Sequence, residues 1–248
     1  MLSPTNDLYS TLEIIFHHFN KDLFDSSLPS VMFTINRKVS CMGYFSADRW
    51  RSANSDSCHE ISVNPAYISN NALIDVCQTL AHEMVHEWQR CFGTVSRNGY
   101  HNKEWAEKMF AIGLIPSDTG KEGGKKTGQN MSDSPAKNGL FIHSCIALIQ
   151  NKGLKMPWID RYSSATSTPN ISISSLISDP TDDETGAIDS LTCSVNELIA
   201  LGESGTMPQG SQSSYKQKYS CADCLANVWG KKDLLIVCGG CGVEFDLV

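Results

Sequence analysis

Thr79-Leu80-Ala81-His82-Glu83-Met84-Val85-His86-Glu87-Trp88 is the stretch on which the reading of this chain turns. Apolar residues recur around it at helical spacing: Leu73, Ile74, Val76, Cys77, Leu80, Met84, Val85 and Trp88. That period predicts a largely buried helix from about residue 71 to 91, with Gly93 as its stop. On such a helix His82 and His86 leave the same face, one turn apart. Two imidazoles so placed suit a shared tetrahedral Zn2+. Glu83 stands beside them, where a carboxylate can take a proton from a water at the ion and pass it to a leaving amine. The plainer alternative is that the two histidines merely hydrogen-bond. A strongly apolar helix is an odd place for two histidines and a glutamate with no function.

A catalytic site of this kind needs a third protein ligand and keeps its fourth position open. After a polar loop from Gly93 to Tyr100, residues 101–113 read as a further helix, with Trp105, Met109 and Ile112 on its apolar face and Gly113 at its end. His101 at its start is one candidate ligand, and Glu104 and Glu107 are rivals. Fourteen residues separate His86 from His101, so the short spacing with a third histidine within six residues is absent.

Upstream, Leu8, Leu12, Ile15, Phe16 and Phe19 predict a helix over about 7–24, on which His17 and His18 are ordinary members. Residues 31–35, 42–45 and 60–63 read as short strands, and the polar, serine-rich 46–57 as a loop. His59-Glu60 is no second zinc motif, because no histidine follows at the required spacing. Cys41 and Cys58 are expected as free thiols.

The C-terminus carries a second signal. Cys221-Ala222-Asp223-Cys224 is followed, after thirteen residues, by Cys238-Gly239-Gly240-Cys241. Two such pairs can set four thiolates around one structural Zn2+, in a module too small to fold without its metal. Val228-Trp229 and residues 234–237 are expected to supply short strands. Lys231 and Lys232 suit a nucleic-acid backbone and Trp229 suits stacking on a base, although a cap that only stabilises the chain is the plainer alternative.

Between the two signals the composition shifts. Residues 119–161 form a basic Gly/Lys-rich connector followed by an apolar packing segment at 140–149 and Trp158, a candidate anchor. Residues 162–217 are acidic and Ser/Thr-rich, and are expected to be a disordered linker open to self-cleavage. Seven acidic side chains and no Lys or Arg fall within 163–212, so the net charge of −7 belongs mostly there and does not exclude nucleic acid elsewhere. No apolar run is long enough to cross a membrane. The N-terminus shows no secretory pattern and the cysteines no disulfide framework, so an intracellular, reducing location is expected.

The first predicted helix, Gly43-Tyr44-Phe45, His59-Glu60-Ile61-Ser62-Val63-Asn64-Pro65, the His82–His86 motif and His101-Asn102-Lys103-Glu104-Trp105 together resemble the SprT-like (Spartan-type) zinc metalloprotease family. The resemblance covers about residues 5–118 and the C-terminal ribbon. It implies an α+β, zincin-like core over 1–118, with a small three-stranded sheet packed on helices, and a four-cysteine zinc ribbon over 218–248. It implies that His82, His86 and His101 hold a catalytic Zn2+, with Glu83 as general base, and so favours His101 over Glu104. Many members have glycine after the third histidine, where this chain has Asn102. Tyr100 and Tyr44 are guesses for stabilising the oxyanion. The implied activity is an endopeptidase acting on DNA-bound or DNA-crosslinked proteins and stimulated by DNA, single-stranded or with single-stranded regions. The expected protein is a monomer without a membrane partner, cytoplasmic and nucleoid-associated in a bacterium, or nuclear in a eukaryote. The alternatives are a non-enzymatic, nucleic-acid- or transcription-associated zinc-binding protein and a protease indifferent to DNA.

Overall fold

The structure, a computed structural model, describes residues 3–37, 41–97, 99–160, 176–195, 217–231 and 233–247. It is a mixed α+β protein in two compact units, Met1–Met207 and Pro208–Val248.

The first unit is built around α3 (Leu73–Phe92), which packs against strands, helices and the elements that follow it. Its N-terminus is fixed by Asp75, whose Oδ2 accepts from the Ala72 backbone N–H at 3.1 Å. Before it come α1 (Pro4–Phe24), β1 (Met32–Ile35), β2 (Gly43–Arg51), β3 (Ser57–Val63) and α2 (Pro65–Asn70). Ser3 caps α1, and Leu12, Ile15, Phe16, Phe19 and Leu23 bury its apolar stripe. The sheet has the order β1-β3-β2, with β1 parallel and β2 antiparallel to β3. Phe33, Ile61 and Val63 turn into the same core as Leu80, Met84 and Val85 of α3.

β2 runs further than expected. Residues 46–51, read as loop from their polar composition, continue the strand through an irregularity between Ser46 and Trp50. Asp48, at φ 49°, donates its backbone N–H to His59 Nδ1 at 2.9 Å there. This part of β2 is exposed, so no apolar alternation marks it. Its other end is pressed against α3: a Cβ on Gly43 would lie 2.8 Å from the Ser62 carbonyl oxygen and 3.1 Å from Thr79 Cγ2.

After α3 come α4 (Lys103–Ala111), β4 (Leu114–Ser117), β5 (Ser132–Pro135), α5 (Leu140–Lys152) and α6 (Asp182–Thr192). β4 and β5 pair antiparallel, so the stretch expected to be only a connector carries a strand. α5 packs on α1 and buries Phe141, Ile142, Cys145 and Leu148. Trp158 ties the following chain to α1 through Nε1 to Asp7 Oδ2 at 3.2 Å. α6 corrects the expectation of disorder over 162–217. Thr181 and Glu184 form a capping box, and Ala187, Ile188, Leu191 and Val195 are buried, with α6 packed on α5 and α3. Residues 162–175 and 196–216, which make up more than half of the region expected to be self-cleaved, lie outside the described residues. Among the described residues no helix is long and apolar enough to cross a membrane.

The second unit is a three-stranded antiparallel sheet with β6 (Gln217–Cys221) between β7 (Asn227–Gly230) and β8 (Phe245–Leu247). The strand expected at 234–237 is reduced to one bridge, Val237 to Glu244. Tyr219 supplies most of its apolar interior, and its hydroxyl donates to the Lys231 carbonyl at 2.6 Å.

Candidate metal centres

α3 projects His82 and His86 from one face, and the chain returns after Gly93 to bring His101 beside them. His101 forms a bridge with Gly128, its N–H donating to the Gly128 carbonyl at 2.8 Å. Asn102 then caps α4: its Oδ1 accepts from the Trp105 N–H at 3.0 Å and from Gln89 Nε2 at 2.7 Å. The residue standing where a glycine is usual therefore locks the loop to α3. The ligand atoms of His82, His86 and His101 all lie within 4.8 Å of one another, and the Nε2 atoms of His86 and His101 are 3.1 Å apart. Zn–N bonds of about 2.0–2.1 Å in a tetrahedron place nitrogens about 3.4 Å apart, so the three rings fit that ion. Trp105, fully buried, floors the cluster, its ring centroid 4.3 Å from His101, 5.0 Å from His82 and 5.6 Å from His86.

The rival carboxylates are engaged elsewhere. Glu104 Oε2 accepts from the Thr94 N–H at 2.6 Å and from Gln89 Nε2 at 3.1 Å, which pins the loop before His101. Glu107 is exposed and pairs with Lys103 at 3.3 Å.

Two outer ring nitrogens have partners from the segment 128–133. His82 Nδ1 lies 2.8 Å from Asp133 Oδ2, and His101 Nδ1 lies 3.2 Å from the Gly128 carbonyl. Both partners are acceptors, so each Nδ1 carries the proton and each Nε2 keeps its lone pair. Sequence reasoning passed over both residues. Asp133 sits in a polar run with no motif around it, and only the pairing of β5 with β4 brings it to α3.

Burial, with His82 as a like-charged neighbour, holds His86 well below the ordinary imidazole range and takes His101 down to about 4. Both are therefore neutral at physiological pH, the form that ligates a metal. Burial also depresses His82, but the Asp133 hydrogen bond and the Glu83 charge outweigh it and raise the ring. Burial raises Glu83, against the His82 charge and a hydrogen bond from the Phe45 backbone N–H of β2. A carboxyl raised in this way is suited to accept a proton and return it.

His82 and Glu83 open on a cleft of about 810 Å³, whose lining includes Gly43, Tyr67, Lys121 and Asp133. Neither tyrosine guessed for the oxyanion is on it. Tyr44 faces a separate pocket with Asn36 and Trp50, and the Tyr100 ring lies 4.8 Å from the Arg97 guanidinium carbon. The phenol in the cleft is Tyr67. Burial, then the charge of Asp75, raises it far above the ordinary tyrosine range, so it remains a hydroxyl donor.

In the second unit the sulfurs of Cys221, Cys224, Cys238 and Cys241 lie within 4.8 Å of one another, and those of Cys224 and Cys238 are 3.7 Å apart. Zn–S bonds of about 2.3 Å in a tetrahedron give about 3.8 Å. Backbone N–H groups of Cys241 and Gly240 draw the Cys238 thiol down to about 7, whereas the neighbouring thiols, Cys224 first, push Cys241 up to about 12. Four sulfurs this close, whose thiols perturb one another's ionisation, are the donor set a divalent soft cation resolves. Trp229 is 61 % exposed and sits across from Lys218 in the β6–β7 register. Lys231 is exposed, and Lys232 lies outside the described residues.

The model of the SprT-like family matches residues 12–121. No curated protein and no solved structure matches the chain. The matched stretch contains His82, Glu83, His86 and His101, whereas Asp133 and the four clustered cysteines lie beyond it.

Proposed function

We propose that this chain, which belongs to the SprT-like family through residues 12–121, is a zinc-dependent endopeptidase whose substrates are proteins held on DNA. The observation that carries the reading is the convergence of His82, His86 and His101 within 4.8 Å beside a buried carboxylate that faces the same cleft. His82, His86 and His101 would hold the ion. Zn2+ in such a site polarises a carbonyl and brings the pKa of water to about 7.

The chain's own residues divide the remaining work. Glu83 takes the proton of the attacking water and delivers it to the leaving amine. Burial against β2, at Gly43, and the Phe45 N–H hold it in place for both transfers. β2 is an edge strand and Gly43 at its start lines the cleft, so an extended peptide laid along the cleft would run beside that edge. Tyr67 donates a hydrogen bond from the cleft wall toward the oxygen that gains charge. The cleft is an open groove, which suits protein chains better than an enclosed small molecule.

DNA enters the reading through the second unit. An exposed Trp229 beside Lys218, with Lys231 close in sequence, combines a stacking surface with cations for phosphate. Such binding weakens steeply with salt. The test is cleavage of a DNA-bound protein with and without single-stranded DNA, at low and high salt. The reading expects cleavage that needs DNA and declines with salt, and a marked loss of DNA binding in Trp229→Ala. Equal cleavage without DNA would leave a peptidase with no DNA dependence. DNA binding with no cleavage under any condition would favour a non-enzymatic zinc protein.

A further inference from the structure

We infer that Asp133 is a positioning residue of the histidine centre: it fixes His82 as the Nδ1–H tautomer, and the β4–β5 segment thereby completes a metal site whose ligands all come from other elements. The inference rests on the zinc reading of the three histidines.

The contact is short, 2.8 Å from Asp133 Oδ2 to His82 Nδ1, and the Asp133 side chain is only 6 % exposed. The backbone of Asp133 is held twice. It pairs with Pro116 in the β4–β5 register, and its carbonyl accepts from Gln78 Nε2 at 2.8 Å. Gln78 lies one helical turn before His82, so α3 grips Asp133 by main chain and side chain at once. Burying a carboxyl is costly unless its oxygens find partners. Oδ1 has none among the described residues, and His82 is the one side-chain partner of Oδ2. A group buried in that way gains little for folding alone. What it does supply is orientation: a carboxylate accepts from Nδ1–H, leaving the Nε2 lone pair aimed at the space shared with His86 and His101.

The neighbouring contact has the same sense. The Gly128 carbonyl receives both the N–H and the Nδ1–H of His101. One segment of the chain, 128–133, therefore orients two of the three rings. It follows the family match, which ends at residue 121, and it falls in the stretch whose composition reads as a connector.

The experiment is chelator competition for zinc on the full-length protein, comparing wild type, Asp133→Ala and Asp133→Asn. Cys238→Ala identifies which of the two zinc ions is released. Outer partners of metal-bound histidines are worth about 10–100-fold in affinity. Asp133→Ala is expected to weaken the histidine-site zinc by that much, and Asp133→Asn, which keeps a neutral acceptor, by less. The zinc of the cysteine cluster is expected to stay unchanged. If both variants hold the histidine-site zinc as tightly as wild type, the inference is wrong. If Asp133→Ala does not fold, the isosteric Asn variant decides: weakened zinc in a protein with wild-type circular dichroism supports the inference, and unchanged zinc overturns it. A wild type that binds no zinc at the histidines overturns both this inference and the peptidase reading. A wild type that binds zinc and cleaves nothing overturns only the latter.

Discussion

Glu87 shows how much a single side chain on α3 can set against the fold that contains it. It is fully buried, neither carboxyl oxygen has a partner among the described residues, and desolvation raises it to about 8. In the unfolded chain the same group titrates near its ordinary value of 4.5. Between those values the unfolded chain gives up a proton that the folded chain keeps. Stability therefore falls as pH rises from about 4.5 toward 8, and levels off above. Glu87→Gln removes the penalty and should stabilise the protein by roughly 4 kcal/mol near pH 8, and by no more than about 1 kcal/mol near pH 5. Denaturant melts at the two pH values check this, and an equal effect at both would contradict it. Glu104 makes the opposite case. Removing its carboxylate leaves the Thr94 N–H without its acceptor and Gln89 with Asn102 alone, which should cost about 1–3 kcal/mol, while the zinc count stays at the wild-type value. Zinc analysis and a thermal melt of Glu104→Ala separate the two effects; a lost zinc would make Glu104 a ligand. At this scale the sequence disclosed residues that share a helix or a short spacing, such as His82, Glu83, His86 and the cysteine pairs. The choice between His101 and Glu104 came from resemblance, because the loop geometry that decides it depends on Asn102, Gln89 and Thr94 together. Asp133 was invisible, since its role depends on a strand pairing that its neighbours do not encode.

At the scale of elements, period was a good guide where one face is buried and a poor one elsewhere. α1, α3 and α4 show helical stripes and were legible to within a few residues. The outer half of β2 is exposed on both faces, so its polar residues hid a strand. α6 lies in a stretch whose Ser, Thr and acidic content suggests disorder, yet three apolar residues of the helix, Ala187, Ile188 and Leu191, with Val195 just after it, suffice to dock it. The contact of β2 with α3 is the joint that carries the site, because Phe45 of β2 holds Glu83 of α3. Gly43→Ala tests that joint. The added methyl group would lie 2.8 Å from the Ser62 oxygen, so β2 must shift. The expected result is a loss of about 1–3 kcal/mol in stability and a lower kcat/KM, with zinc content unchanged. An unaltered melting temperature would show that the strand gives way without cost.

The whole molecule combines two units with different metal logic. In the first, a large core exists without an ion, and the histidines sit at its edge. In the second, few residues besides Tyr219 and two of the four cysteines are buried, and Leu225, Leu235 and Val237 remain exposed. Its fold should therefore depend on metal. Cys238→Ala in the full-length protein should abolish the dispersed amide signals of 217–247 in an NMR spectrum and leave those of the first unit in place. Retention of the β6–β8 signals without zinc would refute a structural role for that ion. The family match, which ends at residue 121, says nothing of this second unit.

The claim at the centre of the account is that Glu83 performs chemistry at a metal held by three histidines. The most direct measurement is single-turnover cleavage of a protein substrate by wild type and by Glu83→Gln, each first shown to carry the same zinc content and the same melting temperature. The account predicts cleavage by wild type and a loss of at least about 100-fold in the variant, the scale of a positioned general base. Equal rates in the two proteins, or no cleavage by a zinc-loaded wild type, would contradict it.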